Sequence, residues 1–324
     1  MFCVQIAEVL VAIENRYAFT ERLCADYIVD VSPDECDFSV SATAEEITAE
    51  NNDEDAFSPA YCESLALYRK MCTRLLNYNA FLFHAAVVSY AGRGYAFAAK
   101  SGTGKSTHVA QWMRALGDRV TVVNGDKPLL RWWRCEGGRE GVGAGAAAVA
   151  ARSGECAGGA AGGADAADGE GAGGAAGGAD AADGEGSRAE GAGSTVSLAD
   201  AGGAGANAGE GSRAEGAFLA YGTPYCGKES WGQNTSVPLR AVCFIERCET
   251  GEPDCLKRLE DDGEIINRMM NQILLPKDPV FAVRQLDLLD KLVTCVPFYV
   301  LRCTPTRAAF DAAFQMTLCD NENE

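Results

Sequence analysis

Histidine is almost absent from this sequence, which has only His84 and His108 among its 324 residues. So few imidazoles exclude a metal site built from several histidines. Basic residues are also scarce, because 28 Lys and Arg against 46 Asp and Glu give a formal net charge of −18. Nucleic acids and anionic lipids bind basic faces, so we expect neither a nucleic acid nor a membrane as partner.

Long apolar runs and paired cysteines are missing as well. No run reaches the roughly 18 apolar residues that span a bilayer, and no apolar signal segment leads the chain. The fourteen cysteines include no CxxC pair, so we expect neither a zinc site nor a disulfide framework. These features predict a cytoplasmic protein whose cysteines act as small buried hydrophobic residues.

Residues 137–216 differ in composition from the rest of the chain. They contain 26 Gly and 26 Ala but no aromatic residue and no Lys. The unit AGGAAGGADAADGEG occurs at Ala157–Gly171 and repeats at Ala172–Gly186, yet neither copy has the large apolar residue that a solenoid repeat buries. Four Arg against twelve acidic residues leave this segment with a charge of −8. It therefore lacks the apolar area to offset its ordering entropy, and we predict a disordered insert.

Outside this insert, strand patterns alternate with helical ones, which predicts an α/β fold. The flanks of the insert, Leu129–Cys135 and Ala217–Tyr221, are rich in aromatic residues and predict a hairpin whose turn has been expanded. Three parts follow from this division: a small N-terminal α+β subdomain at 1–79, a core formed by 80–136 and 217–324, and the insert at 137–216.

Apolar spacing predicts the further elements of both parts. The expected strands are Phe2–Ile13, Tyr27–Val31, Ala80–Ser89, Tyr95–Ala99, Arg119–Val123, Leu239–Glu246 and Val296–Arg302. The expected helices are Pro59–Tyr78, a segment from Lys105 to near Gly117, Glu264–Leu275 and Thr306–Leu318.

The sequence Ala99-Lys-Ser-Gly-Thr-Gly-Lys-Ser106 lies between a predicted strand and a predicted helix. It matches the pattern GxxxxGK[ST], with Ala99 in place of the first glycine. Gly102 and Gly104 would let backbone N–H groups turn inward towards phosphate oxygens. Lys105 would reach the β- and γ-phosphates, and the Ser106 hydroxyl would ligate Mg²⁺. The motif therefore predicts a nucleotide site.

A phosphate loop needs a carboxylate opposite it, to hold Mg²⁺ or to take a proton. Asp126 follows a predicted strand through the turn Asn124-Gly125, at the sheet edge where α/β sites form. An ordinary turn aspartate is the alternative, and the nearby phosphate loop favours the functional interpretation. Taken alone, His84 in its apolar run indicates a buried histidine, and His108 is expected to face out from the first helical turn.

The segment Tyr221–Ser236 mixes Gly, Pro, aromatic and polar residues without periodicity. That composition is typical of a loop, and loops on a rigid scaffold often carry binding groups. Lys228, Glu229 and Asn234 are its candidate substrate-binding residues. A purely structural loop is the alternative.

The stretch His84–Pro128 resembles the P-loop core of HPr kinase/phosphorylase and its relatives, which share a kinase fold with ATP-dependent phosphoenolpyruvate carboxykinase. The shared order is a histidine opening a strand, a glycine turn, a second strand, SGxGKS and an acidic position ending the next strand. Residues 80–131 carry the resemblance. It implies a P-loop kinase core and possible homo-oligomers.

The resemblance also implies an activity, ATP·Mg²⁺-dependent transfer of the γ-phosphate to a hydroxyl, such as serine, of a protein, peptide or small molecule. Lys105, Asp126 and His84 would be catalytic, with Asp126 as general base and Ser106 and Asp126 as Mg²⁺ ligands. Nucleotide binding would fall to Ser101, Gly102, Thr103, Gly104, Lys105, Ser106 and Thr107. Glu229 and Arg240 are candidates for a second Mg²⁺ carboxylate and a late active-site arginine.

The sequence departs from this family at Gly125, which stands where the first acid of a pair would be, and in lacking the glycine-rich signature of the phosphorolytic reaction. The loss of one acid leaves an alternative open, a regulatory module that binds ATP without catalysis. An enzyme nearer to phosphoenolpyruvate carboxykinase is disfavoured by the short chain and the scarcity of histidine.

Overall fold

The computed structural model describes residues 1–51, 57–134, 216–248 and 252–318. Its strands are β1 (Phe2–Ile6), β2 (Val9–Glu14), β3 (Phe38–Ser41), β4 (Ala80–Leu82), β5 (Ala85–Tyr90), β6 (Arg93–Ala98), β7 (Val120–Asn124), β8 (Leu129–Arg134), β9 (Gly216–Tyr221), β10 (Ser236–Arg247), β11 (Cys255–Leu259) and β12 (Phe298–Cys303). Its α-helices are α1 (Ala18–Leu23), α2 (Ala44–Ala49), α3 (Pro59–Leu75), α4 (Lys105–Leu116), α5 (Asp262–Met270), α6 (Pro279–Cys295) and α7 (Arg307–Leu318). The predicted α/β class is thereby confirmed. Within the described ranges no helix is long and apolar enough to cross a membrane.

A nine-stranded sheet forms most of the molecule, with a path in the order β4-β8-β9-β10-β6-β5-β7 and with β12 and β11 added beside β10. The twelve-residue β10 joins two parts of this sheet. Its first residues pair with β9, and the remainder pairs in parallel with β6 and β12. Because β10 changes neighbours along its length, the sheet curls. The carboxyl ends of β6, β10 and β12 then lie at one edge.

Helices cover both faces of this sheet. On one face, Val109 and Trp112 of α4 and Phe310 of α7 pack in a buried cluster with strand residues. On the other, Met269 of α5 and Leu289 of α6 belong to a second cluster. Both faces of the central strands are buried, which explains their nearly continuous apolar sequences.

The N-terminal part has its own sheet, in the order β1-β2-β3, with α3 packed beside it. This core is continuous with the large sheet, because Leu129 and Tyr225 belong to the same buried cluster. Tyr68 of α3 stacks on Tyr225 with ring centroids 3.9 Å apart, and its hydroxyl donates to the Lys127 carbonyl at 2.9 Å. The N-terminal part therefore braces the chain directly after Asp126.

The predicted hairpin around the insert is confirmed. β8 and β9 pair antiparallel from Leu129↔Tyr221 to Arg134↔Gly216. Gly216, assigned to the insert, is instead the first residue of β9. The remaining residues of the predicted disordered segment lie outside the described ranges.

Four other predictions differ from the structure. The run Phe2–Ile13 is two strands, β1 and β2, joined at Ala7 and Glu8, which take φ values of +49° and +59°. Tyr27–Val31 is not a strand, because Ala25–Tyr27 form a 3-10 turn and Ile28 makes only an isolated bridge with Val4. The continuous run Ala80–Ser89 is broken into β4 and β5. The predicted helix Glu264–Leu275 ends at Met270 instead. Five elements were not predicted, namely α1, α2, β3, β11 and the long helix α6.

Candidate functional site

The segment between β6 and α4 is a loop that requires glycine at two positions. Gly102 and Gly104 have φ values of +73° and +118°, and no atom lies within 4 Å of a Cβ added at either position. Backbone conformation, not lack of space, therefore demands glycine here. Helix α4 begins at the next residue, Lys105. The first turn of a helix has N–H groups without a partner inside the helix, and it carries the positive end of the helix dipole. In α4 this end adjoins the glycine loop.

Arg247 holds the loop from the end of β10. Its guanidinium donates to the carbonyl oxygens of Thr103, at 3.2 Å, and of Gly102. β10 and β6 are parallel neighbours, so the end of one strand reaches the loop that follows the other. Arg247 was not among the predicted site residues, because no local motif includes it.

His84 lies at the break between β4 and β5. The N–H of Phe83 donates to the Pro128 carbonyl at 3.1 Å, and the N–H of His84 donates to the Gln272 carbonyl at 2.7 Å. The chain thus leaves one strand pairing and enters another at this point. Nε2 of His84 lies 3.1 Å from Oδ1 of Asp126. The break therefore turns an apparent core histidine into a neighbour of the predicted carboxylate.

Asp126 is positioned by the buried side chain of Asn124. Oδ1 of Asn124 accepts from the N–H groups of Asp126 at 2.9 Å and Lys127 at 2.7 Å. Its amide nitrogen donates to the carbonyl and hydroxyl oxygens of Thr223, both at 3.1 Å. All polar atoms of this side chain are thus used. An asparagine that bonds to N–H groups two and three residues later builds a tight turn.

Two lysines complete the surroundings of Asp126. Nζ of Lys105 lies 3.5 Å from Oδ1 of Asp126, and Nζ of Lys127 contacts Oδ2. We call His84, Lys105, Asp126 and Lys127 the Asp126 cluster. The sequence interpretation included every member except Lys127, although Lys127 is adjacent to Asp126 in the chain.

The electrostatics of the cluster favour the ionised carboxylate. Burial tends to raise the pKa of Asp126, but the hydrogen bond from His84 and the charges of Lys127 and Lys105 outweigh it and hold the pKa well below its ordinary value. Burial also lowers the pKa of Lys105, against the opposing effect of Asp126. The cluster thus keeps the Asp126 carboxylate ionised, and an ionised carboxylate can bind a cationic ligand.

Gly125 has no room for a side chain. A Cβ there would lie 2.8 Å from the carbonyl oxygen of Cys226 and 3.1 Å from that of Trp231, and the Gly125 N–H donates to the latter at 2.7 Å. Segment 222–235, which follows β9, therefore packs directly on the turn. This packing explains why glycine occupies the position where the resemblance leads us to expect an acid.

The other predicted site residues are spread more widely. Glu229 is exposed. A Cβ added at Gly227 would meet the Asp126 side chain and would lie 3.8 Å from Oε2 of Glu229. Lys228 is exposed in the same segment. Asn234 donates to the Asp26 carbonyl at 2.8 Å and so ties the segment to the N-terminal part. Arg240 lies on β10 beside the start of β6, not at the end that leads into the glycine loop.

His108 does not face outward as predicted, because the residue is only 4% exposed. Nε1 of Trp112, one turn later on α4, donates to Nε2 of His108 at 3.0 Å, and the Phe97 ring centroid lies 4.6 Å away. Burial lowers the pKa of His108 to about 4. The prediction was wrong because this face of α4 packs on the sheet.

The donors for a metal are few. Within the described ranges no group of three or more His, Cys, Asp and Glu could hold an ion. The predicted pair Ser106 and Asp126 supplies one hydroxyl and one carboxylate, a set that suits Mg²⁺ when phosphates and water complete its coordination. Comparison with known proteins finds no matching family model and no curated protein similar to this chain.

Proposed function

We propose that this chain is a P-loop kinase that binds Mg²⁺·ATP at residues 101–107 and transfers the γ-phosphate to an acceptor hydroxyl. One observation carries the proposal. His84 and Lys105 lie far from Asp126 in the sequence, and both contact the Asp126 carboxylate. This carboxylate lies beside a loop in which two glycines have positive φ.

The loop and the start of α4 are suited to phosphate. Free N–H groups at a helix start and the positive end of its dipole attract anions. Lys105 lies at this start and already contacts a carboxylate, so a phosphate oxygen can replace Asp126 as its partner. Arg247 adds a second cation bonded to the loop carbonyls. In this proposal Lys105 moves to the phosphates when the nucleotide binds.

Ser106 and Asp126 would hold Mg²⁺ together with phosphate oxygens. A single protein carboxylate suffices, because Mg²⁺ keeps several water ligands and binds largely through substrate phosphates. When bound, the ion would supply neutralisation of the charge on the transferring group.

Asp126 would orient the acceptor hydroxyl and take its proton. Its lowered pKa makes it a weak base while both lysines contact it. Mg²⁺ on the same carboxylate would keep the pKa of Asp126 low after Lys105 moves to a phosphate. In a loose phosphoryl-transfer transition state the nucleophile gains little charge, so orientation contributes more than early proton removal.

A module that binds ATP without transferring phosphate is the second candidate. Two observations favour it. Gly125 leaves no space for a second acid, and Asp126 already contacts three donor groups. Mg²⁺·ATP binding without ATP consumption, in the presence of an extract that supplies acceptors, would select this candidate.

The first test is nucleotide binding by calorimetry with Lys105→Ala, matched to Lys100→Ala. Both lysines belong to the same loop region, but Lys100 is exposed. Because hydrogen bonds to charged groups contribute about 1.5–3 kcal/mol, Lys105→Ala should weaken Mg²⁺·ATP binding about 10- to 100-fold. Lys100→Ala should bind as the unaltered protein does. Equal binding by all three proteins would contradict the proposed phosphate site.

A further inference from the structure

A cavity of about 350 Å³ lies beside the glycine loop. Its walls are the first two turns of α4, the end of β10 and the segment that follows β12. Thr107, His108 and Gln111 line it from one face of α4. None of the described lining residues belongs to the Asp126 cluster. The cavity and the cluster therefore adjoin the loop at different places.

The cavity shares residues with the proposed phosphate site. Thr103, Gly104 and Thr107 belong both to the predicted phosphate-binding run and to the cavity wall. A ligand whose phosphates lie on the loop, with the terminal phosphate at Lys105, would carry its other end into this space. The volume lies within the range of small-molecule sites, about 300–1,000 Å³.

His108 is one of the residues that line the cavity. The indole N–H of Trp112 can only donate, so Nε2 of His108 is the acceptor at 3.0 Å. A neutral ring then carries its proton on Nδ1. This buried atom has no hydrogen-bond partner within the described part of the chain. The ring that His108 adds to the cavity wall is therefore neutral and buried.

The opposite wall is fixed in place. Oδ1 of Asp254 accepts from the N–H of Thr304 at 2.8 Å and from its hydroxyl at 3.1 Å. The N–H of Thr306 donates to the Thr304 carbonyl at 2.8 Å. Cys303 and Pro305 add apolar surface on the same side. The cavity thus combines apolar walls with a few polar groups, as binding sites for flat heterocycles do.

We infer that this cavity binds the purine base of the nucleotide, with the side chain of His108 in its wall. The inference rests on the proposed function, since the phosphates of the same nucleotide would lie on the glycine loop. It assigns to His108, Gln111 and Thr306 a role in choosing the nucleotide that the sequence alone did not give.

Titration with Mg²⁺·ATP and with Mg²⁺·tripolyphosphate separates the base from the phosphates. Thr306 is exposed, so Thr306→Trp can fill the cavity without disturbing the core. We expect Thr306→Trp to weaken ATP binding at least about tenfold and to leave tripolyphosphate binding unchanged. Thr294→Trp, at an exposed position of α6, is the matched control and should bind both compounds normally.

Each other outcome is decisive. Unchanged ATP binding by Thr306→Trp, or equal weakening of ATP and tripolyphosphate, would overturn the base site and leave the proposed function standing. If the unaltered protein binds neither ATP nor tripolyphosphate, the proposed function and this inference are both overturned.

Nuclear magnetic resonance of ¹⁵N-labelled histidine supplies a test without a cavity variant. The chain has only two histidines, and His84→Gln identifies the signals of His108. Mg²⁺·ATP should shift the Nδ1–H resonance of His108, whereas Mg²⁺·tripolyphosphate should not. An unmoved resonance at saturating ATP would overturn the role of His108.

Discussion

The two histidines of this chain have opposite surroundings. His84 keeps a third of its side chain exposed and contacts the Asp126 carboxylate among two lysines. His108 is buried among Trp112, Phe97 and the sheet, and burial lowers its pKa to about 4. Thus His84 belongs to a charged cluster, whereas His108 is a neutral side chain in apolar surroundings.

The difference teaches that local sequence does not reveal the role of a histidine. His84 lies in an apolar run but escapes the core because the strand breaks at Phe83 and His84. His108 follows a polar motif but is buried because its helical face meets the sheet. In both cases tertiary packing decides exposure.

The largest effect on stability is expected from the buried histidine. The ordinary pKa of histidine is about 6.5 and burial lowers the pKa of folded His108 to about 4, so between these values the unfolded chain binds a proton that the folded chain does not. The free energy of unfolding should therefore fall by about 3 kcal/mol as the pH decreases through this window. Urea unfolding at pH 7 and pH 4 should show that His108→Gln loses this part of the decrease.

His84→Gln is the matched control for that experiment. This substitution removes the partly exposed histidine. The variant should therefore keep the decrease in the free energy of unfolding between pH 6.5 and pH 4. Loss of the decrease in His84→Gln and its persistence in His108→Gln would reverse the comparison.

A smaller effect is expected on the charged side, at the turn before Asp126. Gly125→Ala introduces a Cβ 2.8 Å from the Cys226 carbonyl oxygen, so segment 222–235 must shift. Overpacking of this kind costs about 1–3 kcal/mol, measurable by urea unfolding. Gly263→Ala, where a Cβ meets only the end of the Asp261 side chain at 3.3 Å, should not destabilise. Equal stability of both variants would contradict the packing account of Gly125.

The smallest effect is expected at the tip of the β8–β9 hairpin. Arg134 pairs with Gly216, so a two-residue Asn-Gly turn can replace residues 135–215. The contacts described for both histidines remain in place. Thermal unfolding should give a Tm no lower than that of the unaltered protein, because shortening a loop reduces its closure entropy. A large loss of stability would assign the segment a structural role.

The sequence predicted those parts of the fold in which local pattern and burial agree. The strand before the glycine loop, helix α4, strand β7 and the β8–β9 hairpin all have apolar residues at the spacing of their element and appear close to their expected bounds. The hairpin at Ala7 and Glu8 was missed because neither residue is typical of a turn with positive φ.

The site was predictable to the same extent. The motif and the resemblance identified Lys105, Asp126 and His84, which the structure brings together. Arg247 and the buried state of His108 depend on contacts between distant elements, namely the end of β10 against the glycine loop and α4 against the sheet. Periodicity within one segment carries no information about such contacts.

Transfer of γ-labelled phosphate from Mg²⁺·ATP into an extract tests the central claim most directly. Asp126→Asn removes the carboxylate that we propose takes the proton, and Asp118→Asn, at an exposed position, is its control. We expect a labelled protein, peptide or small molecule with the unaltered protein and with Asp118→Asn. We expect a loss of at least about 100-fold with Asp126→Asn, although that variant still binds ATP. Equal labelling by Asp126→Asn, or ATP binding by the unaltered protein with no label in any fraction, would contradict the kinase assignment.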